Sequence, residues 1–166
     1  MFETLYYLGD EMTAYADEHN QEFPLVSLPK FEVQASFVRQ QTGLMMTIYS
    51  PIVYDDKRQA WERFAVEHQD WIKESREIYI SGLSNKSSAD NKFIDFRIPP
   101  IITELIDIEK PELGPRIAPQ RERYAPIWHM SPPPIIPTTQ MFNLFSADAN
   151  MENIVSSMKQ VGGEWA

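Results

Sequence analysis

The chain has 166 residues, 43% hydrophobic and 12% aromatic, so it carries enough apolar material to form the core of one domain. Its net charge of −9 would repel nucleic-acid phosphates and anionic membrane surfaces, and we therefore expect neither as a partner. It contains no cysteine, which excludes disulfides, thiolate zinc sites and cysteine nucleophiles.

The first part of the chain predicts two helices and a strand. Apolar residues recur at three- and four-residue spacing over Phe2–Asn20, as in an amphipathic helix. A second helix is predicted near Pro29–Gln41, with Ser27 as its N-cap and Gly43 closing it. The almost continuously apolar run Leu44–Val53 then predicts a central strand of a covered sheet.

A long helix is predicted next, over about Lys57 to Tyr79, with Asp55 and Asp56 capping its start. His68 lies on its apolar stripe and is interpreted as a core or boundary histidine. The same stripe holds large side chains that we expect to pack on the strand Leu44–Val53. These are Trp61, Phe64, Trp71 and Ile72.

The rest of the chain predicts short strands between irregular segments. Strands are expected at Phe93–Ile98, Ile101–Ile108 and Tyr124–Met130, an exposed loop at Ser81–Lys92, irregular backbone at Lys110–Arg123 and polyproline-like backbone at Ser131–Pro137. Asp148 or Asn150 starts a final predicted helix that runs to about Val161.

The order of these elements predicts an α+β fold in which a small antiparallel sheet is flanked by helices. We expect one domain over residues 1–166, made of a lead-in helix (1–20), a core (21–146) and an exit helix (147–166).

No motif for catalysis or metal binding is complete. The three histidines, His19, His68 and His129, include no pair at metal-ligand spacing. Neither the Gly-x-Ser-x-Gly motif of hydrolases nor a glycine-rich phosphate loop occurs. Ser156-x-x-Lys159 is interpreted as part of a solvated helix face. We therefore expect no catalytic residue, no metal and no cofactor.

Four residues on predicted strands are candidates for a ligand pocket. Tyr49, Trp128 and His129 combine apolar surface with polar tips, and Arg97 would supply one positive charge. The alternative is that Tyr49 and Trp128 are ordinary core residues and that Arg97 pairs with an acid on the surface. Asn85 begins the sequence Asn85-Lys86-Ser87, an N-glycosylation motif within the predicted loop.

Five stretches together resemble one known kind of module. Phe23–Glu32 resembles an opening "W/F-P-x-V-T-L-P-x-F-E", Ser50–Val53, Trp61-Glu62 and Gln69–Ile72 resemble its continuation, and Tyr124–Pro134 resembles an ending "P-x-W-Q-x-S-P-x-P". This pattern, over about residues 20 to 146, looks like the extracellular CHASE-like or PAS-like sensor segment of diatom receptor-type adenylate/guanylate cyclases. His129 departs from it, because glutamine is expected at that position.

The resemblance implies a signal-receiving domain that binds an unknown small molecule or peptide on the extracellular side of a membrane. In such receptors a membrane helix stands on each side of the sensor and a cyclase domain follows, and neither is found in this sequence. We expect no signal peptide or membrane span here, so membrane attachment would come only through flanking segments. The terminal helices could join two copies as a homodimer.

Two other functions stay open at this point. The runner-up is a small soluble enzyme, a hydrolase that uses carboxylates and His129. A protein-interaction scaffold that uses the proline-rich residues 131–137 is a third.

Overall fold

A computed structural model of the chain describes residues 2–82, 99–105, 114–135, 137–147, 150 and 153. Its helices are α1 (Phe2–Glu18), α2 (Phe31–Thr42), α3 (Arg58–Glu67) and α4 (Asp70–Ser81). Its strands are β1 (Thr47–Tyr49), β2 (Val53–Tyr54), β3 (Thr103–Leu105), β4 (Pro115–Ile117), β5 (Arg123–Tyr124) and β6 (His129–Ser131). The predicted strand Phe93–Ile98 and, apart from Asn150 and Asn153, the predicted exit helix lie outside the described residues.

The strands form three small antiparallel sheets of two strands each, β1–β6, β2–β5 and β3–β4. With helices packed against them, they confirm the predicted α+β class. The segment around Met141 joins these ladders, because its carbonyl oxygen accepts from the Thr103 N–H at 2.8 Å and its N–H donates to the Ile127 carbonyl at 3.0 Å. α2 packs against β1 and β6 and α3 against β2, while α1 and α4 pack on α2. None of the helices in the described residues is long and apolar enough to cross a bilayer.

The run Leu44–Val53 is not one buried strand, so that prediction was wrong. Met45 is 87% exposed, and the strand region is split into β1 and β2 by Ser50–Ile52. Each piece pairs with a different partner, and Pro51 between them has no N–H to give to a ladder. The predicted strand Tyr124–Met130 is divided in the same way into β5 and β6.

The predicted long helix is also two helices. α3 ends at His68, whose backbone leaves the helical region at φ −118° and ψ 43°, and α4 begins at Asp70. His68 is exposed and its ring stacks on Phe64 at 4.1 Å, so the core or boundary assignment for this histidine was wrong. The break turns the α4 part of the apolar stripe toward α2, which a straight helix could not do.

Local capping predictions were wrong at two places, and tertiary contacts explain both. Ser27 does not cap α2, which begins at Phe31 after Lys30 adopts a left-handed conformation at φ 56°. The carboxylate of Asp55 accepts hydrogen bonds from Tyr124 and Gln120 and caps no helix. The Gly43 prediction is confirmed, because Gly43 ends α2 at φ 72° and its N–H donates to the Arg39 carbonyl.

The segment Lys110–Arg123 was predicted to be irregular, yet it contains β4. That strand pairs with β3, and Glu104 of β3 is buried with its carboxylate 2.8 Å from Arg116 and 3.0 Å from Arg121. A buried carboxylate needs such partners. Both arginines come from the proline- and charge-rich segment. Their ion pairs with Glu104 therefore hold this segment in a strand that its composition does not predict.

Two separate apolar clusters make up the core. One lies between α1 and α2 and contains Leu8, Met12, Ala16, Phe31, Ala35 and Val38. The other lies among α3, α4 and the strands and contains Val53, Trp61, Trp71, Ile72, Ile102 and Trp128. Tyr49 packs against both clusters and therefore marks the seam between them. The expected packing of the helix stripe near this strand region is confirmed at Val53, although not along the whole of Leu44–Val53.

Replacing Trp61 with alanine tests the second cluster. Trp61 is fully buried against Trp128, so its truncation is expected to lower the free energy of unfolding by about 3–5 kcal/mol. Urea titration measures this loss. The control is Val66→Ala on the same helix, whose side chain is 46% exposed and whose loss should stay within about 0.5 kcal/mol. Equal losses in the two variants would contradict this assignment of the core.

Candidate functional site

The structure brings three of the four predicted pocket residues together. Tyr49 of β1 stands directly opposite His129 of β6, so both side chains lie on one face of that two-stranded sheet, with ring centroids 6.1 Å apart. Trp128 precedes His129, and its ring is 5.7 Å from the imidazole. Arg97 and the glycosylation candidate Asn85 lie outside the described residues.

Trp71 of α4 completes the group. Its ring lies 4.4 Å from that of His129 and 5.5 Å from that of Trp128, and it therefore touches both strand residues. We call Tyr49, Trp71, Trp128 and His129 the His129 cluster. Sequence reasoning assigned Trp71 to the core alone, because the helical period gives no sign that the chain bends between α3 and α4.

His129 is held by the loop that precedes α2. The backbone N–H of Leu28 donates to its Nε2 at 3.0 Å, and the Ser27 hydroxyl lies 3.5 Å from the same atom. An imidazole nitrogen that accepts a hydrogen bond carries no proton, so the proton of the neutral ring is on Nδ1. Phe31, the first residue of α2, stacks on the ring at 4.8 Å with an interplanar angle of 20°. No sequence signal could have identified Leu28, because its contribution is a backbone group.

Burial keeps the polar tips of the cluster uncharged. His129 is fully buried, and desolvation lowers its pKa to about 3. Desolvation also raises the pKa of Tyr49 above its ordinary value. At neutral pH the site therefore presents a neutral imidazole and a neutral phenol.

Several buried polar atoms in and beside the cluster have no hydrogen-bond partner within the described parts of the chain. They are the Tyr49 hydroxyl, Nε1 of Trp71, Nε1 of Trp128, Nδ1 of His129 and the hydroxyl of Ser75. Ser75 follows Trp71 by one turn on the buried face of α4. Each buried polar group without a partner costs about 1–3 kcal/mol, and such a concentration in one place is typical of a binding site or of bound water.

Another buried tyrosine in the same protein shows the contrast. The hydroxyl of Tyr124 lies 2.9 Å from an Asp55 carboxylate oxygen to which it donates, and it accepts from the Arg121 N–H at 2.9 Å and from Arg58 at 3.1 Å. The Tyr124 hydroxyl thus both donates and accepts hydrogen bonds, as expected of a purely structural residue. Tyr49 is equally well enclosed at its hydroxyl, yet it has none of these contacts.

An ion pair of α2 lies next to the cluster and contacts Ser131, which is on the same face of β6 as His129. Glu32 of α2 is 3.1 Å from the guanidinium of Arg39, and that guanidinium donates to the Ser131 hydroxyl at 2.9 Å. Burial raises the pKa of Glu32, while hydrogen bonding to Ser131 and the charge of Arg39 act in the opposite direction. Because Arg39 is engaged in this way, its charge is already balanced within the protein.

Comparison of the chain with protein-family models, with curated proteins and with solved structures finds no match. Within the described residues, no group of three His, Asp or Glu side chains is placed to hold a metal ion. The chemistry of the site must therefore be inferred from the His129 cluster itself, which offers aromatic walls and neutral polar atoms.

The lowered pKa of His129 predicts a pH dependence of folding. The unfolded chain takes up this proton near pH 6.5, whereas the folded chain resists it until about pH 3. Stability should therefore fall as the pH drops through this window, by up to about 1.4 kcal/mol per pH unit. Protonation would also end the Leu28 hydrogen bond, because Nε2 could no longer accept.

The control is His129→Gln, in which the amide oxygen can accept from Leu28 without an ionisable ring. Urea titrations of both proteins at pH 6.5 and pH 4.5 should show that the wild type loses about 2–3 kcal/mol more than the variant. The shifted carboxyls of Glu32 and Asp55 are present in both proteins and cancel in the difference. Equal losses of stability in the wild type and in His129→Gln would mean that His129 is not the group that titrates.

Proposed function

We propose that this chain is a signal-receiving sensor domain whose ligand binds at the His129 cluster. The observation that carries the proposal is the set of buried polar atoms without partners, set among aromatic rings. Small-molecule sites are lined mainly by apolar and aromatic side chains, with a few polar groups that fix orientation. The His129 cluster has this composition.

The position of the cluster supports a sensing role. His129 stacks on Phe31, which belongs to the α1–α2 apolar cluster, and contacts Trp71, which belongs to the other. A ligand at this seam would touch both halves of the core. If it bound one arrangement of the halves more tightly than another, it would shift their equilibrium and so move α1 and α2. This differential affinity is what a sensor needs.

We propose further that the domain is the ligand-binding extracellular part of a membrane receptor nucleotide cyclase. The support is the sequence resemblance together with where its motifs lie. Phe23–Glu32, Gln69–Ile72 and Tyr124–Pro134 are far apart in the chain, yet the last two supply Trp71, Trp128 and His129 to the cluster, and the first supplies Leu28 and Phe31, which contact His129. The membrane helices and the cyclase activity would belong to other parts of the protein.

A hydrolase is the second candidate, and the contact between Ser27 and His129 favours it. A serine hydroxyl at 3.5 Å from an imidazole nitrogen could be the start of a nucleophile and base pair. Two observations count against it. The Leu28 N–H already occupies Nε2 at 3.0 Å, and a histidine with a pKa of about 3 is a weak base at neutral pH.

A thermal-shift screen tests ligand binding. Purified protein is heated with each member of a library of small organic compounds, and true ligands are expected to raise the Tm of the wild type by a concentration-dependent amount. Trp71→Phe keeps the aromatic packing but removes one N–H donor, so it should lower the response to those ligands. Tyr6→Phe, at a side chain 58% exposed, is the matched control and should respond as the wild type does. Ligands that stabilise all three proteins equally would place the site elsewhere.

The same screen separates sensor from enzyme, because Ser27→Ala should leave ligand stabilisation unchanged. If a chromogenic ester were hydrolysed by the wild type and not by Ser27→Ala, the hydrolase would be the correct function.

The isolated chain is also expected to lack cyclase activity. Cyclisation of ATP or GTP requires bound metal ions at carboxylates, and the described residues contain no such group. Purified protein with magnesium or manganese should yield no cyclic nucleotide above a buffer blank, measured by chromatography. Turnover that rises with protein concentration would contradict this prediction.

A further inference from the structure

The polar atoms of the His129 cluster are mainly donors. Because Nε2 of His129 accepts from Leu28, its Nδ1 carries a proton and can only donate. The indole N–H groups of Trp71 and Trp128 are donors only. None of the three has an acceptor in the described residues. The hydroxyls of Tyr49 and Ser75 can either donate or accept a hydrogen bond, so they do not require the ligand to supply a donor.

The cluster offers no charge to a ligand. Its members are uncharged, and Glu32 and Arg39 beside it form an ion pair. An anion would lose its hydration here without gaining a free cation as partner. A cation could be attracted by the aromatic faces, but the N–H groups present the positive ends of their dipoles.

We infer that the ligand of the His129 cluster is a small neutral molecule with an acceptor oxygen on an apolar body, of the ketone, ester or lactone class. This inference rests on the proposed ligand site and names the class that the site would take. The acceptor oxygen would receive the N–H groups of His129, Trp71 and Trp128, while the aromatic rings would cover the apolar body. The rings of the cluster pack directly on one another, so the seam between the two apolar clusters must open to admit such a molecule.

A matched set of probes tests the inference. Cyclohexanone, cyclohexanecarboxylate, cyclohexylammonium and cyclohexane share one apolar body and differ in charge and acceptor. Each is titrated into protein labelled with nitrogen-15 at tryptophan, and the indole N–H signals are followed by NMR. Trp71→Phe and Trp128→Phe assign the signals, since each removes one of them.

Cyclohexanone is expected to shift the indole signals of Trp71 and Trp128 in a saturable way, and the other three probes are not. Loss of one donor should weaken binding of cyclohexanone by about tenfold in Trp71→Phe and in Trp128→Phe. Tyr6→Phe should bind cyclohexanone as the wild type does.

The outcomes distinguish failure of the inferred ligand class from failure of the proposed ligand site. If the carboxylate or the ammonium probe shifts the same indole signals as strongly as cyclohexanone, the neutral class is wrong and the ligand site stands. If cyclohexane is the only probe that shifts the indole signals, the N–H donors of the cluster do not contribute to binding, and the neutral acceptor class is again wrong. If no probe shifts them, the cluster is plain core, and both the class and the proposed function fail.

Discussion

One buried hydrogen bond organises the centre of this protein, the bond from the Leu28 N–H to Nε2 of His129. It joins residues 101 positions apart in the chain and lies in the interior, where water does not compete. It holds the loop before α2 in a non-helical conformation, so that α2 starts at Phe31 and this ring stacks on the imidazole. It also fixes the proton of His129 on Nδ1, so that this buried nitrogen is a hydrogen-bond donor.

The seam around His129 differs from the two apolar clusters that it joins. Within each cluster, apolar side chains pack on one another and gain stability from burial alone. Across the seam, contact depends on the Leu28 bond, the hydrogen bond from Arg39 to Ser131 and the hydrogen bond from the Lys30 N–H to Glu74. Polar contacts are directional, so a small displacement of α2 breaks them, whereas apolar packing tolerates more sliding. The seam is therefore the part of the fold most suited to having two arrangements.

Sequence patterns selected three residues that the structure brings together, but for incomplete reasons. Tyr49, Trp128 and His129 were selected as aromatic side chains with polar tips on predicted strands, and the structure places them together. Their pairing could not be derived, because it depends on the register of β1 against β6. Trp71 was recognised only as a core residue, since its contact with His129 depends on the bend after α3.

The sequence by itself determined the α+β class, the helices α1 and α2 with the end of α2 at Gly43, and the apolar stripe that became buried on α3 and α4. These features follow from local periodicity and from the backbone preferences of single residues, which act over a few positions. Only the tertiary structure decided the division of Leu44–Val53, the break at His68 and the strand within Lys110–Arg123. Each depends on a partner distant in the chain, such as Glu104 for Arg116 and Arg121, and no local pattern records which distant groups will meet.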